Sequence, residues 1–340
     1  MLFFRSIILG AFIVIIPAAA GGGILHASGL EQYLQALSSP TASVQKGEIY
    51  LHIGEWYQNN NDNRKAIDAF LESLKYKLKP EQASASQRAL GDLYLVEKQY
   101  EASINAYRQA KEFLPKDEQV RLRLACAYEQ SELTEQAIQE YAELIRILPG
   151  SFEGHFRLAF RYETQGLHGK ALDSYRKALL IDPRDKVYVH ISRCAEKTGN
   201  IDLAIATLRD AAAKEQRYDY CMKLGQLHLQ KQNQSEAEEM FSKAVKISPE
   251  EAEAYLSLGI LYMEQEKFKP AEQLFAIALE KARDKGLAHF YLGTVYFRQA
   301  LYEKAQKEVA QAAALAKSEA LRAYARRLLA YMNVLPAGKK

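Results

Sequence analysis

The most constraining feature of the 340-residue chain is a pattern that returns about every 34 residues. Its reference position holds a small residue in eight copies, and the steps between copies are mostly 34 residues, with two of 33 and a first step of 37. The reference residues are Ala66, Ser103, Ala137, Ala171, Ala204, Ala237, Ala271 and Ala305. A fixed period of this length is the signature of stacked repeats, so we expect a repeat array and not one globular core.

Each copy contains two stretches whose apolar residues lie three and four positions apart, which predicts two helices with facing apolar stripes. A small residue lies twelve positions before each reference: Gly54, Gly91, Ala125, Ala159, Ser192, Gly225, Gly259 and Gly293. A large apolar residue lies four positions after it: Phe70, Tyr107, Tyr141, Tyr175, Leu208, Phe241, Phe275 and Val309. Proline closes four copies, at Pro115, Pro149, Pro183 and Pro249, where it would end the second helix.

The stretch GKALDSYRKALLIDP at 169–183 resembles the second helix of the tetratricopeptide repeat family, and the whole pattern resembles that family over residues 47–318. The resemblance implies an all-α, right-handed superhelical solenoid of about eight helix hairpins. Residues 31–46 would form a leading helix or linker, and residues 319–340 a capping helix and tail. The repeats are expected to begin near Gly47, Ser84, Glu118, Phe152, Asp185, Tyr218, Ala252 and Gly286.

The fifth repeat departs from the family pattern. It has Ser192, Ala195 and Gln216 where glycine, tyrosine and proline are usual. The departure predicts looser packing in this repeat.

Residues 1–30 differ from the rest of the chain. Arg5 precedes the apolar run at 7–16 and the sequence PAAAGGG at 17–23, and no further charge occurs before Glu31. These features favour a cleaved signal peptide, because the uninterrupted apolar core is short. The alternative is an uncleaved membrane anchor over residues 2–25. Either interpretation places the repeats outside the cytoplasm, in the periplasm or secreted, with membrane contact only through the N-terminal segment.

The sequence contains no constellation that predicts catalysis. Nucleophile, zinc-protease and phosphate-loop motifs are absent, and the seven histidines are not spaced as metal ligands. We therefore expect neither an enzyme nor a metal or other cofactor. Cys126, Cys194 and Cys221 lie in apolar helical stretches, which favours small buried residues. The 45 basic and 42 acidic residues are interspersed, which argues against nucleic acid as a partner.

In the tetratricopeptide family the first helix of each repeat lines a concave groove that holds a partner peptide. By this resemblance the partner-binding residues are Phe156, Phe160, Val189, Met222, Leu256, Ile260, Met263, Phe290 and Phe297. The Lys/Asn/Arg clamp with which some members hold a C-terminal carboxylate is not present. The apolar groove would suit an amphipathic or extended apolar segment. The alternative is that these residues only pack against neighbouring repeats.

These observations predict a non-enzymatic scaffold outside the cytoplasm that binds a protein or peptide for envelope complex assembly. Two alternatives remain open. One is a membrane-anchored regulatory adaptor of an envelope enzyme or transporter, and the other is a self-assembling homo-oligomer. An enzyme with an unfamiliar site is disfavoured, because the sequence has no convergent polar set.

Overall fold

The structure is a computed structural model that describes residues 25–38 and 45–334, and within these ranges it contains eighteen helices and no strand. The helices are α1 (Leu25–Leu37), α2 (Lys46–Asn59), α3 (Asn63–Ser73), α4 (Pro80–Val96), α5 (Tyr100–Phe113), α6 (Glu118–Gln130), α7 (Thr134–Ile147), α8 (Phe152–Thr164), α9 (His168–Ile181), α10 (Asp185–Lys197), α11 (Ile201–Lys214), α12 (Tyr218–Gln230), α13 (Gln234–Ile247), α14 (Ala252–Glu264), α15 (Phe268–Lys281), α16 (Gly286–Arg298), α17 (Tyr302–Leu315) and α18 (Glu319–Asn333).

The helices from α2 to α17 form eight consecutive hairpins, and α18 follows the last of them. The predicted all-α array of eight hairpins with a C-terminal helix is confirmed. The described residues divide into two compact units, a first that ends at Gly154 and a second that begins at His155. The nine predicted partner-binding residues all belong to the second unit, so the candidate site is described within that unit alone.

In the sixth and seventh hairpins, a glycine of the first helix lies against a ring of the second helix. A Cβ atom built on Gly225 would lie 2.5 Å from a ring carbon of Phe241, and one on Gly259 would lie 2.6 Å from the ring of Phe275. Both rings are almost fully buried. The first helix can therefore carry only a small residue at this position, because the ring already fills the space.

Each turn inside a hairpin contains one residue with positive φ. These residues are Asn61, Lys98, Glu132, Gly166, Gly199, Gln232, Glu266 and Ala300. In the last hairpin the N–H of Ala300 donates to the carbonyl of Phe297 at 3.0 Å, and the N–H of Leu301 donates to that of Tyr296 at 2.9 Å. The left-handed residue thus satisfies the last carbonyls of the first helix and reverses the chain.

Replacing Ala300 with glycine is expected to stabilise the protein. Ala300 has a φ of 59°, which is strained for a residue with a Cβ atom and unstrained for glycine. The gain should be about 1 kcal/mol in the free energy of unfolding, measured by urea denaturation. The reverse change, Gly166→Ala at a φ of 74°, should lower it by a similar amount. A loss of stability in the Ala300→Gly variant would contradict the assigned turn.

The change Gly225→Ala should destabilise the second unit although alanine is the better helix former. The added methyl group would overlap the buried ring of Phe241, and overpacking of this kind costs about 1–3 kcal/mol. The matched control is Gly169→Ala on α9, where a Cβ atom meets nothing within 4 Å. The control should leave the thermal midpoint unchanged or raise it. Equal effects of the two substitutions would show that ring contact does not decide the residue at 225.

The predicted signal peptide or anchor at residues 1–25 lies outside the described residues except for Leu25, where α1 begins. Within 25–38 and 45–334, every helix is too short or too polar to cross a membrane.

Candidate partner-binding face

The nine predicted residues lie on α8, α10, α12, α14 and α16, the first helices of the fourth to eighth hairpins. We call the surface that they define the first-helix face. Met222, Met263 and Phe290 are buried, with exposed fractions of 5%, 8% and 9%. The other six are partly buried. Packing inside the protein therefore already uses part of every one of these side chains.

The structure brings together the three predicted residues of α14. Leu256 and Ile260 pack, partly buried, against an apolar cluster that contains Met263, Phe275 and Leu292. The cluster holds the inner side of Leu256 and Ile260 in place and leaves part of each side chain exposed. A partner that covered them would remove this apolar surface from water at little cost in side-chain order.

Phe156 and Phe160 instead surround the ring of His190 on α10. Their ring centroids lie 5.5 and 5.8 Å from that of His190, and both contacts are edge-to-face. The ring of Tyr175 stacks on His190 at 5.0 Å. These distances are typical of favourable aromatic pairs, so the two phenylalanines help to join α8 and α9 to α10.

Glu163 anchors the same cluster through charge. His190 Nδ1 lies 2.7 Å from Glu163 Oε2, and the hydroxyl of Tyr175 donates to that oxygen at 2.7 Å. Arg193 donates to Glu163 Oε1 at 3.1 Å. Burial opposes ionisation of the carboxyl group, but the hydrogen bonds from His190 and Tyr175 lower the pKa of Glu163 overall. The carboxylate is thus satisfied by its neighbours, which is what a structural ion cluster requires.

At the other end of the first-helix face, α18 covers the two predicted residues of α16. The ring of Tyr324 lies 5.4 Å from that of Phe290, and the ring of Tyr331 lies 6.2 Å from that of Phe297. Phe290 and Phe297 also join a buried cluster with Met332. These two residues therefore pack against the C-terminal helix α18.

Val189 lines a cleft of about 290 Å³ between α10, α11 and α12. Leu208 and Tyr220 form further walls, and Arg193 and Lys223 stand beside them. The sequence predicted looser packing in the fifth repeat but no cleft. Ser192, one of the residues on which that prediction rested, lines the cleft. The additional signal lies at position 208, where six of the eight hairpins have a ring and this one has leucine.

Cys194 and Cys221 are buried free thiols, and Cys126 is partly buried. Burial raises the pKa of the Cys194 thiol to about 12, so it is not a reactive thiolate at neutral pH. The described residues contain no group of three or more His, Cys, Asp or Glu side chains able to hold a metal ion.

His228 is a buried histidine on α12, with 5% of its surface exposed. Among the described residues its Nδ1 has no hydrogen-bond partner. Burial, the largest influence, lowers the pKa of His228 from its usual value. The folded protein therefore holds this ring neutral at a pH where the unfolded chain would protonate it.

The protein should accordingly lose stability as the pH falls below about 6.5, the usual pKa of histidine in an unfolded chain. Above that pH neither state binds the proton, so His228 carries no pH-dependent cost. A His228→Phe variant should show a smaller drop in urea midpoint between pH 7.5 and pH 5.5. Between pH 7.5 and pH 9, where neither state protonates His228, the variant and the wild type should show the same slope, and this comparison is the control. If the urea midpoint of His228→Phe fell with pH as steeply as that of the wild type, His228 would not be the cause of the pH dependence.

Comparison with known proteins agrees with this architecture. Three family models described as Tetratricopeptide repeat match the chain, one at residues 51–118 and 193–252, one at 228–289 and one at 152–185. No curated protein matches the sequence.

Solved structures resemble the chain at low sequence identity. The C-terminal part of a TPR repeat-containing protein from Cytophaga hutchinsonii aligns with a TM-score of 0.56 at 16% identity, covering 68% of this chain and 96% of that one. YrrB, described as a TPR protein with an unusual peptide-binding site, aligns at 0.46 and 18% identity, covering 54% of this chain and 96% of its own. A tetratricopeptide repeat protein from Parabacteroides merdae aligns at 0.44 and 14% identity over 85% and 99% of the two chains.

The family models and the eight observed hairpins identify the same repeat unit over most of the chain. The protein therefore belongs to the tetratricopeptide repeat family, whose hairpin arrays generally serve as protein–protein interaction scaffolds and not as catalysts.

Proposed function

We propose that the protein is a non-enzymatic scaffold that binds a segment of a partner protein on the first-helix face of its second unit. The proposal rests on the packing and the partial exposure of Leu256 and Ile260. Both are held in place on their inner side by an apolar cluster and remain partly exposed on their outer side. Ordered apolar surface of this kind is the usual anchor of a protein interface.

The contacts of the nine predicted residues narrow the binding region. Phe156 and Phe160 pack around His190, and Phe290 and Phe297 hold α18. The remaining predicted residues, on α10, α12 and α14, form the central part of the first-helix face. They are Val189, Met222, Leu256, Ile260 and Met263. The partner segment is extended or amphipathic and places apolar side chains on this central part.

The proposed location is outside the cytoplasm, where the scaffold takes part in assembling envelope complexes. Support comes from the sequence of residues 1–30, with one basic residue before a short apolar run and small residues after it. Mass spectrometry of the protein from its own cells will show whether residues 1–25 are removed. Their retention would instead favour a membrane-anchored adaptor. Recovery with the cytoplasmic fraction would overturn the location.

The binding region can be mapped with a photo-crosslinking amino acid placed at Ile260 in the full-length protein in its own cells. The matched control carries the same group at Leu180, which is 87% exposed on α9 and belongs to no first helix. We expect a crosslinked partner from position 260 and not from position 180. Crosslinks only between two copies of this chain would identify a homo-oligomer in place of a scaffold for another protein.

A second test replaces surface without adding charge. Leu256→Gln combined with Ile260→Gln should weaken binding of the crosslinked partner at least tenfold, since each change removes about 1–2 kcal/mol of apolar contact. Leu180→Gln is the control and should bind like the wild type. Circular dichroism and the thermal midpoint will establish that the double variant is folded. Wild-type affinity in a folded double variant would place binding elsewhere on the protein.

A further inference from the structure

The helix α18 repeats the surface of α16, one of the helices on which it packs. In steps of 34 residues, Tyr324 and Tyr331 of α18 correspond to Phe290 and Phe297 of α16. The same four rings join the two helices, Tyr324 to Phe290 at 5.4 Å and Tyr331 to Phe297 at 6.2 Å. By this spacing α18 stands where the first helix of a ninth repeat would lie. The row of large side chains with which α16 receives a neighbouring helix is thus present again on α18.

On α16 this row is covered, whereas on α18 it is open. Phe290, on which α18 packs, is 9% exposed, but Tyr324 and Tyr331 are 60% and 58% exposed. Leu328 lies between the two tyrosines on the helix surface and is partly exposed. The tyrosines are seven residues apart, which is two helical turns or roughly 10 Å along the axis. We call Tyr324, Leu328 and Tyr331 the α18 row.

The contact between α16 and α18 shows what kind of element such a row receives. The cluster around Phe290 and Phe297 takes in one side of α18, whose apolar residues are spaced by four, four and three positions: Leu321, Ala325, Leu329 and Met332. This spacing gives one stripe along a helix. An amphipathic helix with the same stripe is therefore the element that fits the α18 row.

Arginine side chains border the α18 row. Arg327 lies three residues after Tyr324 and four before Tyr331, so it is a neighbour of both on the helix surface. In α16 the corresponding residue is Gly293, on which α17 packs. Arg326 and Arg327 are exposed, and within the described residues neither takes part in an ion pair. Both cations are thus available to a helix that lies on the row.

The net charge of this part of the chain favours an acidic occupant over a second copy. Residues 299–340 contain 8 of the 45 basic residues but only 3 of the 42 acidic ones. Two copies paired about a two-fold axis through the α18 row would bring Arg326 and Arg327 of both against each other. Like charges in contact oppose association, whereas carboxylates on the incoming helix would favour it.

We propose that the α18 row binds an acidic amphipathic helix of a partner protein, which packs on α18 as α18 packs on α16. The apolar stripe of that helix covers Tyr324, Leu328 and Tyr331, and its carboxylates face Arg326 and Arg327. This surface lies apart from the central part of the first-helix face. The inference goes beyond the proposed function, because it adds a second surface and states the charge and the form of what binds there.

The probe is a stapled, fluorescently labelled peptide with the sequence of α18, residues 319–333, in which Arg322, Arg326 and Arg327 are replaced with glutamate. It keeps the stripe that packs on α16 and carries the charge expected of the partner. The control peptide keeps its arginines. In fluorescence anisotropy with the full-length protein at low ionic strength, the acidic peptide should bind about tenfold more tightly than the basic one. Equal affinity for the two peptides, or binding of neither, would overturn the proposal.

A charge reversal locates the site and leaves the packing of α18 intact, because both side chains are exposed. Arg326→Glu with Arg327→Glu should weaken the acidic peptide about tenfold and tighten the basic peptide. The matched control is Arg176→Glu with Lys177→Glu, which makes the same change of net charge at two exposed residues of α9. The control should bind both peptides like the wild type. An equal loss of the acidic peptide in the control would show that net charge selects the peptide and not the α18 row.

Three further results would assign the α18 row or the peptide differently and so overturn the proposal. Vesicles of phosphatidylglycerol that displace the peptide from the wild type would indicate an anionic membrane as the occupant. A dimer in analytical ultracentrifugation that the peptide dissociates would indicate a second copy. Loss of peptide binding in the folded Leu256→Gln/Ile260→Gln variant would place the peptide on the central part of the first-helix face. If that variant binds the peptide normally, this inference stands whatever the outcome for the proposed function.

Discussion

The close contact between a small residue on the first helix and a large side chain on the second is the constraint on which each hairpin depends. A Cβ atom built on Gly54, Gly225 or Gly259 would lie only 2.5 to 2.6 Å from the nearest ring atom. The helices can approach this closely only because one side of the contact has almost no side chain. The glycine–ring contact recurs in the first, second, sixth and seventh hairpins, so these hairpins share one internal geometry although their sequences differ.

The hairpins differ in whether a ring fills the space between their two helices. A hairpin with a ring in this position has no room between its helices, and its first helix offers only the outer surface. The fifth hairpin keeps a small residue at Ser192 but has Leu208 in place of the ring, and both residues line a cleft. The eighth hairpin also has no ring at this position, and its Val309 is fully buried.

Much of the fold was predictable from the sequence, because each repeat specifies its own helices and turns. The period placed the hairpins, since helix faces and turn positions depend on residues close together in the chain. The left-handed turn residues were less visible, because Ala300 or Glu132 is no typical residue for positive φ. The positive φ is required by the two helices that the turn joins, so it depends on the whole hairpin and not on the type of the turn residue.

The candidate site was only partly predictable. The position of a residue in the repeat specifies the helix face on which it lies, but it does not specify whether another helix packs over that face. Phe290 and Leu256 occupy equivalent places, three residues before Gly293 and Gly259, yet Tyr324 of α18 packs on Phe290 while Leu256 stays partly exposed. The difference depends on which helix comes next, and that is a property of the array. Likewise, the sequence shows that Ser192 departs from the pattern. It does not show that Ser192 lines a cleft together with Leu208, which lies sixteen residues later on the facing helix.

The two ends of the first-helix face differ from its centre in the contacts that a partner would have to displace. Ion pairs and rings join α8 to α10 through Glu163 and His190, while rings join α16 to α18. A partner that displaced these contacts would have to replace hydrogen bonds and aromatic packing that the protein already makes. At α14 it would displace only water from apolar surface, which is favourable from the first contact. Under the proposed function, the free energy of binding would come from the centre of the face, between helices that internal contacts hold in position.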